Sequence, residues 1–231
     1  MLRGPQNLPE RLLEVRAAVA RAAARAGRSA QSVTLLAVTK AQPAEVVRAA
    51  ADLGLEDFGE SYLQEALEKL DALQDRALTW HFVGRIQANK TRPIAERFAW
   101  VHAVDRLRIA VRLSEQRPHY APPLNVCLQV RLGDEASKGG VAADELPALA
   151  RAVAQLPRLK LRGLMCIPPE ETEAARQHAW FGELRRLYAM LNAGGAELDT
   201  LSMGMTGDFE AAIEEGATIV RIGTALFGPR N

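Results

Sequence analysis

Lys40 closes the run Val33-Thr34-Leu35-Leu36-Ala37-Val38-Thr39-Lys40. Five of its first six residues are apolar, the pattern of a parallel strand covered on both faces. Pro43 then suits the first turn of a helix, where its missing N–H costs nothing. A lysine is thereby placed at the carboxyl end of a buried strand, where α/β folds build their sites. Partly deprotonated beside apolar neighbours, its amine is a nucleophile towards a carbonyl group. The plain alternative is a solvated lysine at a strand end.

Far along the chain stand two loops with complementary chemistry. One holds Ser202, Gly204 and Thr206, and the other holds Gly223 and Thr224. Hydroxyls donate to phosphate oxygens, and Gly204 and Gly207 would let backbone N–H groups approach closely. Each loop alone reads as ordinary turn chemistry; the pair reads as a phosphate cradle. Arg221 interrupts the apolar run Val220-Arg221-Ile222, two residues before Gly223. It reaches a ring above the cradle, or pairs with a carboxylate inside the fold. A guanidinium beside a pyridine nitrogen keeps that nitrogen unprotonated and weakens the ring as an electron sink. A lysine plus a phosphate cradle has two chemical readings. One is a Schiff base to pyridoxal 5′-phosphate, the other a Schiff-base aldolase for a sugar phosphate.

The elements that must position these residues alternate strictly. A helix is expected over 8–26, stopped by Gly27, and strands follow at 33–39, 56–59 (a short strand and turn), 79–83, 100–104, 124–132, 160–167, 198–203 and 218–222. Helices separate them, at 43–53, 61–73, 87–98, 143–155 and 171–192, with Asp105 as the expected N-cap of another. Eight such units in about 200 residues predict one closed (β/α)8 barrel spanning 1–231, with an extra N-terminal helix. An open doubly wound sheet is the other possibility.

Composition narrows the function classes. A net charge of +1 provides no global field for nucleic acid or anionic membrane. No apolar run approaches the ~20 residues of a membrane helix, and no signal-peptide core stands at the N-terminus. Cys127 and Cys166 lie in separate apolar strands, so buried free thiols and a cytoplasmic setting are expected. His81 and His102 lack partners at metal spacing, and no metal is expected.

Several motifs in order then make a resemblance specific. They are Ala37-Val38-Thr39-Lys40, Phe58-Gly59-Glu60-Ser61-Tyr62, and Trp80-His81-Phe82-Val83-Gly84-Arg85-Ile86-Gln87-Ala88-Asn89-Lys90. Ser137-Lys138-Gly139-Gly140, Gly163-Leu164-Met165, Leu201-Ser202-Met203-Gly204-Met205-Thr206-Gly207-Asp208 and Val220-Arg221-Ile222-Gly223-Thr224 follow. The chain resembles the pyridoxal-phosphate homeostasis proteins, which are similar to the barrel domain of bacterial alanine racemases. The resemblance implies that pyridoxal 5′-phosphate is held as a Schiff base on Lys40, with Ser202, Thr206, Gly223 and Thr224 around the phosphate. It implies that Arg221 faces the ring nitrogen. Gly204, Ser61, His81 and Met165 complete the expected cofactor-binding set. Ser61 stands where the family has asparagine, and Thr206 where it more usually has serine.

The resemblance implies a carrier or buffer of the cofactor, with apoenzymes as possible recipients, rather than an enzyme. Racemisation needs a base on each face of the substrate carbon. Tyr62 alone of the three tyrosines is expected near the mouth, and no second domain is expected after the barrel to supply another base. A monomer is therefore expected. A weak amino-acid racemase, the aldolase and an interaction module without ligand remain the alternatives. Lys138 reads as a solvated loop lysine or as a second lysine handling the cofactor.

Overall fold

The computed structural model describes residues 7–133 and 139–229. Lys138 lies outside the described residues. Eight parallel strands close into a barrel in sequential order. They are β1 (Thr34–Val38), β2 (Asp57–Glu60), β3 (Thr79–Phe82), β4 (Trp100–Val104), β5 (Leu124–Val130), β6 (Leu159–Cys166), β7 (Thr200–Ser202) and β8 (Ile219–Ile222). The open sheet is thus set aside. Closure joins β1 to β8, with Leu36 level with Arg221 and Ala37 with Ile222. This pairing brings the two ends of the chain's chemistry onto neighbouring strands.

The helices are α1 (Leu8–Arg25), α2 (Ala44–Asp52), α3 (Leu63–Ala72), α4 (Thr91–Arg97), α5 (Leu107–Gln116), α6 (Leu146–Ala154), α7 (Ala174–Ala193), α8 (Phe209–Glu214) and α9 (Thr224–Phe227). α1 precedes the barrel and packs on α8 and α9 through Leu12, Val15, Val19 and Ala22, a stripe at helical spacing. Among the described residues no helix is long and apolar enough to cross a membrane.

One expected cap differs. Asp105 does not cap α5; Arg106 occupies the N-cap position and donates to the Asp105 carboxylate instead. A neighbouring guanidinium offers a charged donor that out-competes a backbone N–H for that carboxylate.

The strands alternate two destinations for their side chains. Phe58, Trp80 and Phe82 face outward into the layer beneath the helices, where Phe58 and Trp80 lie 5.8 Å apart and Phe82 meets Phe98 edge-on at 5.4 Å. Gly59, His81, Trp100 and His102 face the lumen. At the N-terminal end of the barrel Arg162 lies 4.6 Å over Trp100, donates to Asn125 and pairs with Asp199. That layer closes the floor.

Gly163 shows how tightly β6 and β7 run. A Cβ there would stand 1.7 Å from the Thr200 carbonyl oxygen, which no rotamer change relieves. Gly163→Ala is expected to cost about 3 kcal/mol or more of unfolding free energy, the scale of severe overpacking, measured by urea denaturation.

Candidate functional site

Arg221 lies inside the barrel and is only 5% exposed. Its Nη1 donates to the Ser202 carbonyl oxygen (2.7 Å) and to Ser202 Oγ (3.0 Å), and its Nη2 donates to the Cys166 carbonyl oxygen (2.8 Å). Among the described residues no carboxylate pairs with it. Carbonyl oxygens fix the fork without cancelling the charge, so one expected arrangement, an internal ion pair, is not the one formed. Burial pushes its pKa down, yet a guanidinium keeps its proton.

Ser202 passes the interaction on. His102 Nδ1 lies 2.7 Å from Ser202 Oγ, His102 Nε2 lies 2.9 Å from His81 Nδ1, and His81 Nε2 lies 2.9 Å from Asp57 Oδ1. β4 and β7 are not neighbours, so the His102–Ser202 bond crosses the lumen. Hydrogen-bond accounting assigns every proton. The Asp57 carboxylate only accepts, so with neutral rings the order runs from Ser202, whose hydroxyl accepts from Arg221 and donates to His102 Nδ1. His102 then donates through Nε2 to His81, and His81 donates through Nε2 to Asp57. Both imidazoles are neutral. Burial lowers the His102 pKa well below its usual value, with His81 and Arg221 adding to the effect. Burial lowers that of His81 as well, against the pull of Asp57. His81 also stacks on Trp100, with centroids 5.4 Å apart and planes within 8°.

This geometry separates the expected site residues into two layers. Ser202, His81 and Met165 lie fully within the barrel, with Met165 level with Ser202. The Ser202 hydroxyl is taken up by Arg221 and His102, so the side chain holds up the guanidinium from below. Above it, at the mouth, stand Lys40, Ser61, Thr206, Gly223 and Thr224. Lys40 comes two residues after the end of β1 and is half-buried. Gly223 lies beside β1, where a Cβ would stand 3.4 Å from the Val38 carbonyl oxygen. Thr206 Oγ1 accepts from the Ala225 N–H at 3.3 Å and ties the loop after β7 to the start of α9. The two hydroxyl-bearing loops are thereby one surface. Ser61 follows β2, and its carbonyl oxygen would stand 2.1 Å from a Cβ at Gly84. Tyr62 is 56% exposed and precedes α3.

Gly204 serves the fold rather than an open cradle. Its φ is +91°, and a Cβ would stand 2.6 Å from Ala212 Cβ and 2.9 Å from Phe209 Cα. The glycine lets the loop press against α8. Cys127 and Cys166 are buried and free, as their strands suggested, and burial pushes both thiols up to about 12. No group of metal-binding residues occurs among the described residues.

Three contributors escaped sequence reasoning. Asp57 anchors the histidine chain, and Glu60 and Lys69 form an ion pair of 2.7 Å in which both residues are buried. The signal for Lys69 was its place between Ala66 and Leu70, on the inner side of α3.

Residues 14–231 match the family described as alanine racemase, N-terminal domain. The chain is 62% identical over 225 residues to a pyridoxal phosphate homeostasis protein of Pseudomonas aeruginosa, covering 97% of this chain and 96% of that one. It is 48% identical over 228 residues to the protein of the same name from Escherichia coli, covering 97% of each. Among solved structures, PipY of Synechococcus elongatus with PLP bound superposes with a TM-score of 0.85 at 37% identity, covering 96% of this chain and all of that one. Alanine racemase of Corynebacterium glutamicum shares the fold, with a TM-score of 0.68 at 21% identity over 92% of this chain and 59% of the racemase.

The neutral histidines carry a pH signature. Their folded pKa values lie below the unfolded value of about 6.5, so the unfolded chain binds more protons in the interval. Stability is complete above about 6.5 and falls as the pH drops from there towards the folded values. His102→Gln, whose amide can both accept and donate, is expected to flatten the decline. Urea unfolding between pH 7 and 5 should show a slope reduced by up to about 1.4 kcal/mol per pH unit.

Proposed function

Because the chain belongs to the pyridoxal phosphate homeostasis protein family, built on the alanine racemase N-terminal domain fold, we propose that it binds pyridoxal 5′-phosphate reversibly and buffers or delivers it in the cytoplasm. Lys40 is the covalent tether. The observation that carries this reading is the buried, uncancelled charge of Arg221, held by carbonyl oxygens two residues below Gly223 and one strand from Lys40. A buried cation without a counter-charge is costly unless a ligand meets it. A ring nitrogen with a free lone pair is such a ligand.

The cofactor supplies an aldehyde that condenses with an amine and a phosphate that anchors it. Lys40 offers the amine at the rim of the barrel. Thr206, Gly223 and Thr224 line the joined loops after β7 and β8, the usual phosphate position of such barrels. Arg221, below Gly223, would be the donor that meets the ring nitrogen. Ser202, His102 and His81 keep the guanidinium oriented, and Met165 and Ser61 wall the pocket. The fixed positive charge disfavours protonation of the ring nitrogen, which suits holding the cofactor rather than stabilising a carbanion on it. Tyr62 is 56% exposed, so it is not held over the mouth as a second base for racemisation. Recipient apoenzymes and a monomeric state belong to the same proposal.

Loaded wild-type protein is expected to show a visible absorption band that borohydride removes, and Lys40→Ala to lack it. A Lys40→Ala protein with an unchanged band would reject Lys40 as the attachment point. On prolonged incubation with L-alanine and a panel of other amino acids, the loaded protein is expected to yield no substantial D-isomer. Cofactor-dependent racemisation, measured by chiral chromatography, would replace the carrier reading with the racemase.

A further inference from the structure

Lys69 lies on α3 and is 3% exposed; Glu60 ends β2 and is 0% exposed. Lys69 Nζ donates to the Thr39 carbonyl oxygen (2.6 Å), to Glu60 Oε1 (2.7 Å) and to Glu65 Oε1. Thr39 Oγ1 donates to the same Glu60 oxygen (2.5 Å). On the other side of Lys40, the Ala41 N–H donates to Glu65 Oε1 (2.7 Å). Ala41 has φ +62°, the left-handed region that a Cβ disfavours. One buried lysine and two carboxylates therefore hold three polar groups of the residues immediately before and after Lys40.

The arrangement is expensive as a stability device. A buried ion pair is often no better than packed apolar groups of the same volume. Here Glu60 Oε2 is also buried with no hydrogen-bond partner among the described residues, which adds a desolvation cost. Left-handed backbone at a non-glycine residue persists where its surroundings over-determine it, typically at functional sites. Both features surround a single residue, Lys40.

We infer that Lys69, with Glu60 and Glu65, is the positioning device that aims Lys40 at the aldehyde. It clamps the backbone of 39 and 41 so that the Lys40 side chain leaves the strand end in one direction. The three N–H donors of Lys69 are taken up by three acceptors, so its amine is not directed at the aldehyde. This inference rests on the reading of Lys40 as the tether. At Lys40 a C=N bond forms between Nζ and the aldehyde carbon, and the aldehyde oxygen leaves as water. The amine must first give a proton to solvent. Lys69 and Glu60 take no part in that exchange; they fix where Nζ stands.

The test separates total binding from covalent binding in wild type, Lys40→Ala, Thr39→Val, Thr39→Ser and the double variant Glu60→Gln/Lys69→Met. Pyridoxal 5′-phosphate is titrated into each apoprotein by equilibrium dialysis. The fraction fixed by borohydride is read by mass spectrometry, and folding is checked by thermal melting. The double variant removes both charges while keeping shape. It is expected to fold, to lose less than about threefold in total affinity, and to fall about tenfold or more in the ratio of covalent to non-covalent cofactor, the size of effect a misplaced reacting group produces. Thr39→Val should move the same way by a smaller factor, and Thr39→Ser, which keeps the hydroxyl, should restore the wild-type ratio. An unchanged ratio in a folded double variant overturns the inference. If that variant does not fold, an unchanged ratio in Thr39→Val overturns it. Failure of the underlying reading looks different: Lys40→Ala would then retain the wild-type covalent fraction.

Discussion

A guanidinium enclosed by a barrel sets the terms for this structure. Arg221 is held by the carbonyl oxygens of Ser202 and Cys166, on β7 and at the end of β6. Those bonds satisfy donors and leave the charge. Everything beneath follows from holding that group still without neutralising it. A carboxylate in the same place would have bound Arg221 more strongly and removed its charge from the site. A serine and two neutral imidazoles instead hand the hydrogen-bond polarity across the lumen to Asp57, which is partly open to solvent. Each member donates in one direction only, so the histidines must stay neutral for the chain to be satisfied.

Two polar systems share the barrel and do different work. The one from Arg221 to Asp57 crosses the lumen and defines the depth of the site. The one from Lys69 through Glu60 and Glu65 lies between β1, β2 and α3 and defines its edge. Neither resembles a surface ion pair such as Arg25 with Glu210 and Glu214, where solvent leaves little net gain. Buried polar groups without full compensation lower stability, and the barrel accommodates them because its outer layer is densely apolar. Phe58, Phe98, Phe181 and the leucines around them supply that layer.

The same barrel serves racemases, and the likeness at 21% identity concerns the fold alone. What distinguishes a carrier from an enzyme lies in the site. In the proposed site the fixed charge of Arg221 would disfavour a protonated ring, and Tyr62 beside the mouth is 56% exposed. A site that binds an aldehyde and a phosphate well, and stabilises a carbanion poorly, is suited to keeping a reactive cofactor and giving it up.

Much of this was legible in the chain. Apolar runs ending in Lys40, Arg221-Ile222-Gly223 and Ser202-Met203-Gly204 mark strand ends, because a strand covered on both faces needs continuous hydrophobicity. Eight of them alternating with helices predict a closed barrel, and closure puts Gly223 beside Val38, two residues before Lys40. The tertiary structure decided what single positions do. Ser202 turns its hydroxyl to Arg221 and His102, and Gly204 gives its space to α8. Lys69 of α3 and Glu60 of β2 reach the backbone beside Lys40. Local pattern fixes which face of an element is buried, since that depends on residues a few places apart. Which polar atoms meet inside depends on strands that pass one another across a lumen. Asp57 and Arg221 are separated by most of the chain and joined only when the barrel closes.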